Sequence, residues 1–194
     1  TSEFLKAQAI AFTPVTSLAT LPATGKIIVV GRNALDGVAS TSSQLAACAA
    51  DGRRVIVLEQ EHPLRYQGLP ADMPADNNQG TTAFAEDLGH PLLQGLAQAD
   101  FFTWGTDELV YRNAYRKPTR GARSLVQCHD SLQNSALAEV PVGEGLMLVC
   151  QLLVAEKLAE TIVARQMLCN LIDYADQYQL EHRSVTACLT EDAQ

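Results

Sequence analysis

Apolar and polar positions along this chain fall into short blocks. Leu146 to Cys150 is an uninterrupted apolar run, short enough for a strand buried on both faces. Leu137 to Val142 alternates and contains Pro141, which suits a strand end or an edge. Gly143-Glu144-Gly145 lies between the two runs and supplies residues that tolerate positive φ. Together they predict a late antiparallel hairpin. Lys26 to Val30 and Arg54 to Glu59 predict two further buried strands. Asp36 to Ala50 between them reads as a helix, with Val38, Leu45, Ala46 and Ala49 on one side and Gly52 as its C-terminal cap. Strand, helix and strand within roughly 35 residues form a βαβ unit with an expected right-handed crossover.

The remaining blocks are less regular. Ala7 to Phe12 reads as a short first strand, followed by a loop with Pro14 and Pro22. Glu61 to Thr82 carries Pro63, Gly68, Pro70, Pro74 and the polar run Asp76-Asn77-Asn78-Gln79-Gly80. A loop of that length is often functional or an interface. Thr81 to Phe84 and Ser124 to Cys128 are strand candidates, and His90 to Leu93 starts a short helix. Phe101 to Trp104 and Glu108 to Tyr111 read as extended. Val163 to Tyr178 repeats Val163, Met167, Leu168, Leu171, Ile172 and Ala175 at helical spacing, which predicts a closing amphipathic helix. The expectation is an α/β three-layer sandwich with a mainly parallel sheet, one domain over residues 1–180 and a polar tail over 181–194.

Composition narrows function more than fold. With 47% hydrophobic and 19% charged residues, the 194-residue chain is ordinary for a soluble globular protein. A net charge of −8 argues against a general nucleic-acid or anionic-membrane binder. No run approaches the ~18 apolar residues of a membrane span. The five cysteines show no metal-like spacing, and most sit among apolar neighbours as small hydrophobes. No cofactor is implied.

Sites in open α/β sheets lie beyond the carboxyl ends of strands. Gly31-Arg32-Asn33-Ala34-Leu35-Asp36-Gly37 has two glycines but neither phosphate-cradling pattern, and reads as a turn with Asp36 near a helix start. Glu59-Gln60-Glu61-His62 either binds something polar, through Glu59, Glu61 and His62, or is a solvated strand end. Cys128-His129 places a thiol beside an imidazole, yet strand neighbours point to opposite faces. No Gly-x-Cys-x-Gly or Gly-x-Ser-x-Gly turn is present. Phe101 to Arg120 mixes Trp104, Tyr111 and Tyr115 with Arg112 and Arg116, residue types enriched at interface hot spots. It is therefore the candidate contact surface, against the alternative that its aromatics fill the core.

His90-Pro91-Leu92-Leu93-Gln94-Gly95-Leu96, followed by Asp100-Phe101-Phe102-Thr103-Trp104, resembles a stretch of the class I glutamine-amidotransferase-like domains attached to large glycoside hydrolases. These include the β-galactosidase type, where a related domain supports trimer formation. Val57-Leu58-Glu59-Gln60 and Glu139 to Gly145 resemble a second-strand ending and late hairpin of the same family. The likeness spans Ala7 to Tyr178. It implies a flavodoxin-like fold and a non-catalytic accessory role, with partners among the other domains of a glycoside hydrolase, a second copy, or carbohydrate. The alternatives are a divergent Cys-dependent amidase using Cys128 or Cys150 with His129, and a carbohydrate-binding module working through Trp104.

Overall fold

The computed structural model describes residues 1–66 and 68–180. Its strands are β1 (Ile27–Val30), β2 (Arg54–Val57), β3 (Gln79–Gly80), β4 (Ala83–Ala85), β5 (Tyr111–Arg112), β6 (Tyr115–Arg116), β7 (Arg123–Cys128), β8 (Asn134–Val142) and β9 (Gly145–Cys150). Its α-helices are α1 (Ser2–Ala7), α2 (Gln44–Ala50) and α3 (Ile162–Gln177). The seven-stranded sheet runs β1-β2-β9-β8-β7-β4, with β6 joined to β8, and β3 pairs with β5 apart from it.

The sheet is mixed. β1, β2 and β9 are parallel, with Val30 beside Val57 and Val57 beside Val149. From β9 onward the neighbours β8, β7 and β4 are antiparallel. This corrects the expected mainly parallel sheet. Parallel neighbours need a crossover of a dozen or more residues, usually helical. β7, β8 and β9 follow one another too closely for that, so each turns back on its predecessor. β8 ends with Val142 opposite Gly145 of β9. Pro141 lies beyond Glu139, the last β8 residue paired with β7, so its missing N–H costs no bond on that side.

Strand alternation divides the core between the two faces of the sheet. Ile56, Leu58, Leu146, Leu148 and Cys150 pack with Ala164, Met167, Leu168, Leu171 and Ala175 of α3. Val55, Val57, Met147 and Val149 pack with Leu45 and Ala49 of α2. The closing helix starts where Thr161 caps it, its hydroxyl accepting from Val163 N at 3.2 Å.

Two expectations, one of a strand and one of a helix, shift. Ala7 to Phe12 is not a strand: the chain opens instead on α1, which buries Leu5, and Ala9 turns the backbone at φ 55°. A short apolar run carries no period that separates strand from helix. The expected helix from Asp36 to Ala50 splits into a 3-10 turn, Ala39–Thr41, and α2. Asp36 Oδ1 accepts from Val38 N and Ala39 N at 2.9 and 2.7 Å, holding the first piece. Ser42 is extended and its hydroxyl accepts from Gln44 N, so the Thr41-Ser42-Ser43 cluster interrupts the helix through local bonds. The expected tail lies outside the described residues.

Candidate functional site

The carboxyl ends of the three parallel strands converge on one cleft. Arg32 and Asn33 follow β1, Glu59 to Glu61 follow β2, and Leu153 and Glu156 follow β9; Arg112 and Asn113 close it from β5. Its volume is about 250 Å³.

Glu59 forms the floor and is only 4% exposed. Its Oε1 accepts from Glu156 N at 2.6 Å and its Oε2 from Ala155 N at 3.2 Å. Burial pushes the carboxyl up to about 7, although these backbone donors and Arg32 favour its ionised form. Glu156 sits above it and gathers both guanidiniums. Arg32 Nη2 lies 2.8 Å from Glu156 Oε2, and Arg112 Nη1 and Nη2 donate to Oε2 and Oε1 at 2.8 and 3.2 Å. Two arginines therefore share one carboxylate.

The walls are fixed by side-chain amides. Gln151 Oε1 accepts from Gln60 N at 2.9 Å, and its Nε2 donates to the carbonyls of Gln60, Arg112 and Asn113. Gln60 Nε2 donates to the carbonyls of Gly31 and Leu58, each at 2.7 Å, and its Oε1 accepts from Leu35 N. The β1, β2, β5 and β9 ends are thus stitched together below the cleft. Asn33 and Asn113 take the left-handed conformation, φ 50° and 52°, which Asn tolerates better than most residues. Asn33 Oδ1 accepts from Glu61 N at 2.7 Å. Asn113 Nδ2 donates to the Gln60 carbonyl at 3.2 Å.

A second cleft of about 340 Å³ is lined by Asn77, Asn78, Gln79, Arg112 and Asn113. Asn78 Oδ1 accepts from Ala114 N at 3.2 Å, while its buried Nδ2 has no partner. An unmade bond at a buried donor costs about 1–3 kcal/mol.

The sequence candidates separate into three groups. Glu59 and Arg112 meet in the cleft. His62 and Arg116 are exposed and do not line it. Trp104, Tyr111 and Tyr115 are 2%, 2% and 1% exposed, which corrects their assignment to a contact surface. Trp104 Nε1 donates to the Asp100 carbonyl at 2.6 Å and Tyr115 OH to the Leu64 carbonyl at 3.2 Å, so each ring is core and its polar tip is satisfied internally. The Tyr111 ring packs against Gly80, where a Cβ would lie 2.6 Å from its hydroxyl oxygen. Sequence reasoning missed Asn113 and Glu156. The signal for Glu156 is its place after the β9 run, the third parallel strand end, whereas Cys128 ends the antiparallel β7.

Cys128 and Cys150 are not set up as nucleophiles. Cys128 is buried, and burial pushes it up to about 12. Cys150 is buried within β9, and burial raises its thiol as well. His129 has φ 68° and turns the chain away after β7. Among the described residues no group of three or more His, Cys, Asp or Glu could hold a metal ion, and no helix is long and apolar enough to cross a membrane.

A buried polar cluster lies elsewhere, on the α3 side of the sheet. Tyr174 OH donates to Glu139 Oε1 at 2.6 Å, and His90 Nε2 is 3.5 Å from Glu139 Oε2. His90 Nδ1 accepts from Leu92 N. Burial raises the Glu139 carboxyl, but the bonds from His90 and Tyr174 outweigh it and hold it below the usual range. The cluster ties the Pro91–Leu93 turn and α3 to β8.

No family model and no curated protein matches the chain. Among solved structures, cytoplasmic protein STM3548 from Salmonella typhimurium is similar at 11% identity and a TM-score of 0.55, over 89% of this chain and 84% of that one. That likeness is one of fold. The exo-β-1,4-mannosidase Op5Man5 from Opitutaceae bacterium strain TAV5 aligns at 14% identity and a TM-score of 0.44, over 77% of this chain and 25% of the enzyme. A cold-adapted β-galactosidase from Rahnella sp. R3 aligns at 13% identity and 0.41, over 79% and 23%. The chain thus spans about a quarter of each of these two hydrolases.

Proposed function

We propose that this chain is a non-catalytic binding domain, an amidotransferase-like and flavodoxin-like accessory unit of a larger glycoside hydrolase, whose working face is the cleft at the ends of β1, β2 and β9. The observation that carries the reading is the state of that cleft. Its Glu59 and Glu156 carboxylates and both guanidiniums are committed to one another and to backbone donors, while Glu61 adds a further carboxylate. Acyl transfer needs an activated nucleophile beside a base, with oxyanion donors facing it. No Cys, Ser or Lys lines this cleft. The accessory role rests on the sequence likeness from His90 to Trp104 and from Glu139 to Gly145. In this reading the partners are other domains of the hydrolase or a second copy, with the exposed Arg116 offered to them.

Residue-resolved thiol labelling tests the reading against a cysteine enzyme. Native protein is treated with iodoacetamide at pH 7.5 and mapped peptide by peptide, with urea-unfolded protein as reference. Cys128 and Cys150 are expected to label on the order of a hundredfold more slowly in the native protein. Rapid native labelling of either would mark an activated thiolate and support the divergent amidase.

A further inference from the structure

The two polar clefts share a wall, since Arg112 and Asn113 line both. Their chemistry selects among ligand classes. An anion is disfavoured, because Arg32 and Arg112 are already paired with Glu156 and the cleft also holds Glu59 and Glu61. An anion would have to displace a carboxylate and then sit beside two more. A metal ion lacks a ligand set among the described residues. An organic cation would meet the Arg112 guanidinium at the shared wall.

A neutral polyhydroxyl ligand meets none of these penalties. Each hydroxyl donates one hydrogen bond and accepts others, and a carboxamide does both in one plane. Asn33 and Asn113 in the first cleft, with Asn77, Asn78 and Gln79 in the second, present such groups. Glu61 and Glu59 add acceptors. Asn78 is the sharpest pointer, because its Oδ1 is occupied while its buried Nδ2 donor has no protein partner. Buried polar groups are nearly always satisfied, so a rotation of the Asn78 amide toward the cleft would give this orphan donor a ligand oxygen as its partner. We infer that the joined clefts bind a neutral saccharide through its hydroxyls, a site distinct from the Trp104 region, whose ring is buried. This rests on the binding reading above and names its ligand class.

Saturation-transfer NMR on the whole chain tests it. The probes are methyl β-D-galactopyranoside, methyl α-D-mannopyranoside and cellobiose, with citrate and spermidine as charged arms. Transfer to at least one saccharide and to neither charged probe is expected. The double variant Asn77→Ala, Gln79→Ala should weaken saccharide affinity about tenfold, the loss of two hydrogen bonds. Both side chains are exposed, so its melting temperature should match the parent. Silence from all three saccharides, transfer to citrate or spermidine, or affinity indifferent to the double variant would overturn the assignment. None of these outcomes involves turnover, so failure here leaves the non-catalytic reading standing and failure there is separately visible.

Discussion

Glu59 shows how one residue can define a site. Its chain position is the end of a buried strand, and its carboxyl is roofed by the turn after β9. Because burial raises it to about 7, the folded state keeps a proton that the unfolded chain releases near the ordinary glutamate range. Between those two values the native state binds more protons, so stability falls as pH rises. The loss is complete above pH 7 and amounts to about 3 kcal/mol at most. Urea unfolding from pH 4.5 to 7.5 should therefore show declining stability in the native protein. Glu59→Gln cannot ionise, so its profile should be flatter across that window, even if its absolute stability is lower from a mismatched bond to the Ala155 or Glu156 amide. Parallel profiles for the two proteins would place the titration elsewhere. Glu139 does not mimic this effect, since its lowered carboxyl contributes stability that is lost at more acid pH.

At the scale of elements, the turn between β8 and β9 illustrates what glycine permits. Gly143 has φ 56°, and a Cβ there would lie 2.6 Å from the Ala50 backbone. Gly145 needs no positive φ, yet its Cβ would lie 2.2 Å from the Arg53 carbonyl oxygen and 2.3 Å from that of Ala49. The end of α2 thus rests directly on this turn. Gly145→Ala should cost on the order of 2–4 kcal/mol, because only backbone movement relieves the clash. Gly143→Ala should cost a similar amount through strain and contact together. Equilibrium denaturation measures both, and a loss below about 0.5 kcal/mol in either would remove the close packing from the account.

The same elements show what was legible in the sequence. The runs Lys26–Val30, Arg54–Glu59 and Leu146–Cys150 read as buried strands because their apolar residues are continuous, and all three became parallel neighbours. Val163–Tyr178 read as a helix because its period is 3.6, and α3 spans nearly the same residues. Sheet order was not legible. It depends on which strand pairs with which, and local pattern carries no such information. The site inherited that gap: Glu59 and Arg112 were named, but Glu156 became visible only once β9 lay beside β2. Trp104, Tyr111 and Tyr115 misled because residue type alone does not distinguish an interface aromatic from a core one.

For the whole molecule, the mixed sheet separates stability from recognition. α2 and α3 pack on the central strands, with Leu45, Met167, Leu168 and Leu171 fully buried at these contacts. The parallel strand ends remain open, where Gln60 and Gln151 brace a polar cleft. In the proposed reading, this arrangement holds a ligand in place without supplying a nucleophile. The most direct measurement is turnover by the isolated chain: ammonia release from glutamine, and cleavage of chromogenic β-galactosides, with Glu59→Gln and Cys128→Ala as controls. Rates equal to buffer for the native protein and for both variants are the predicted result. Turnover well above buffer that disappears in either variant would contradict the account, and would place catalysis at the substituted residue.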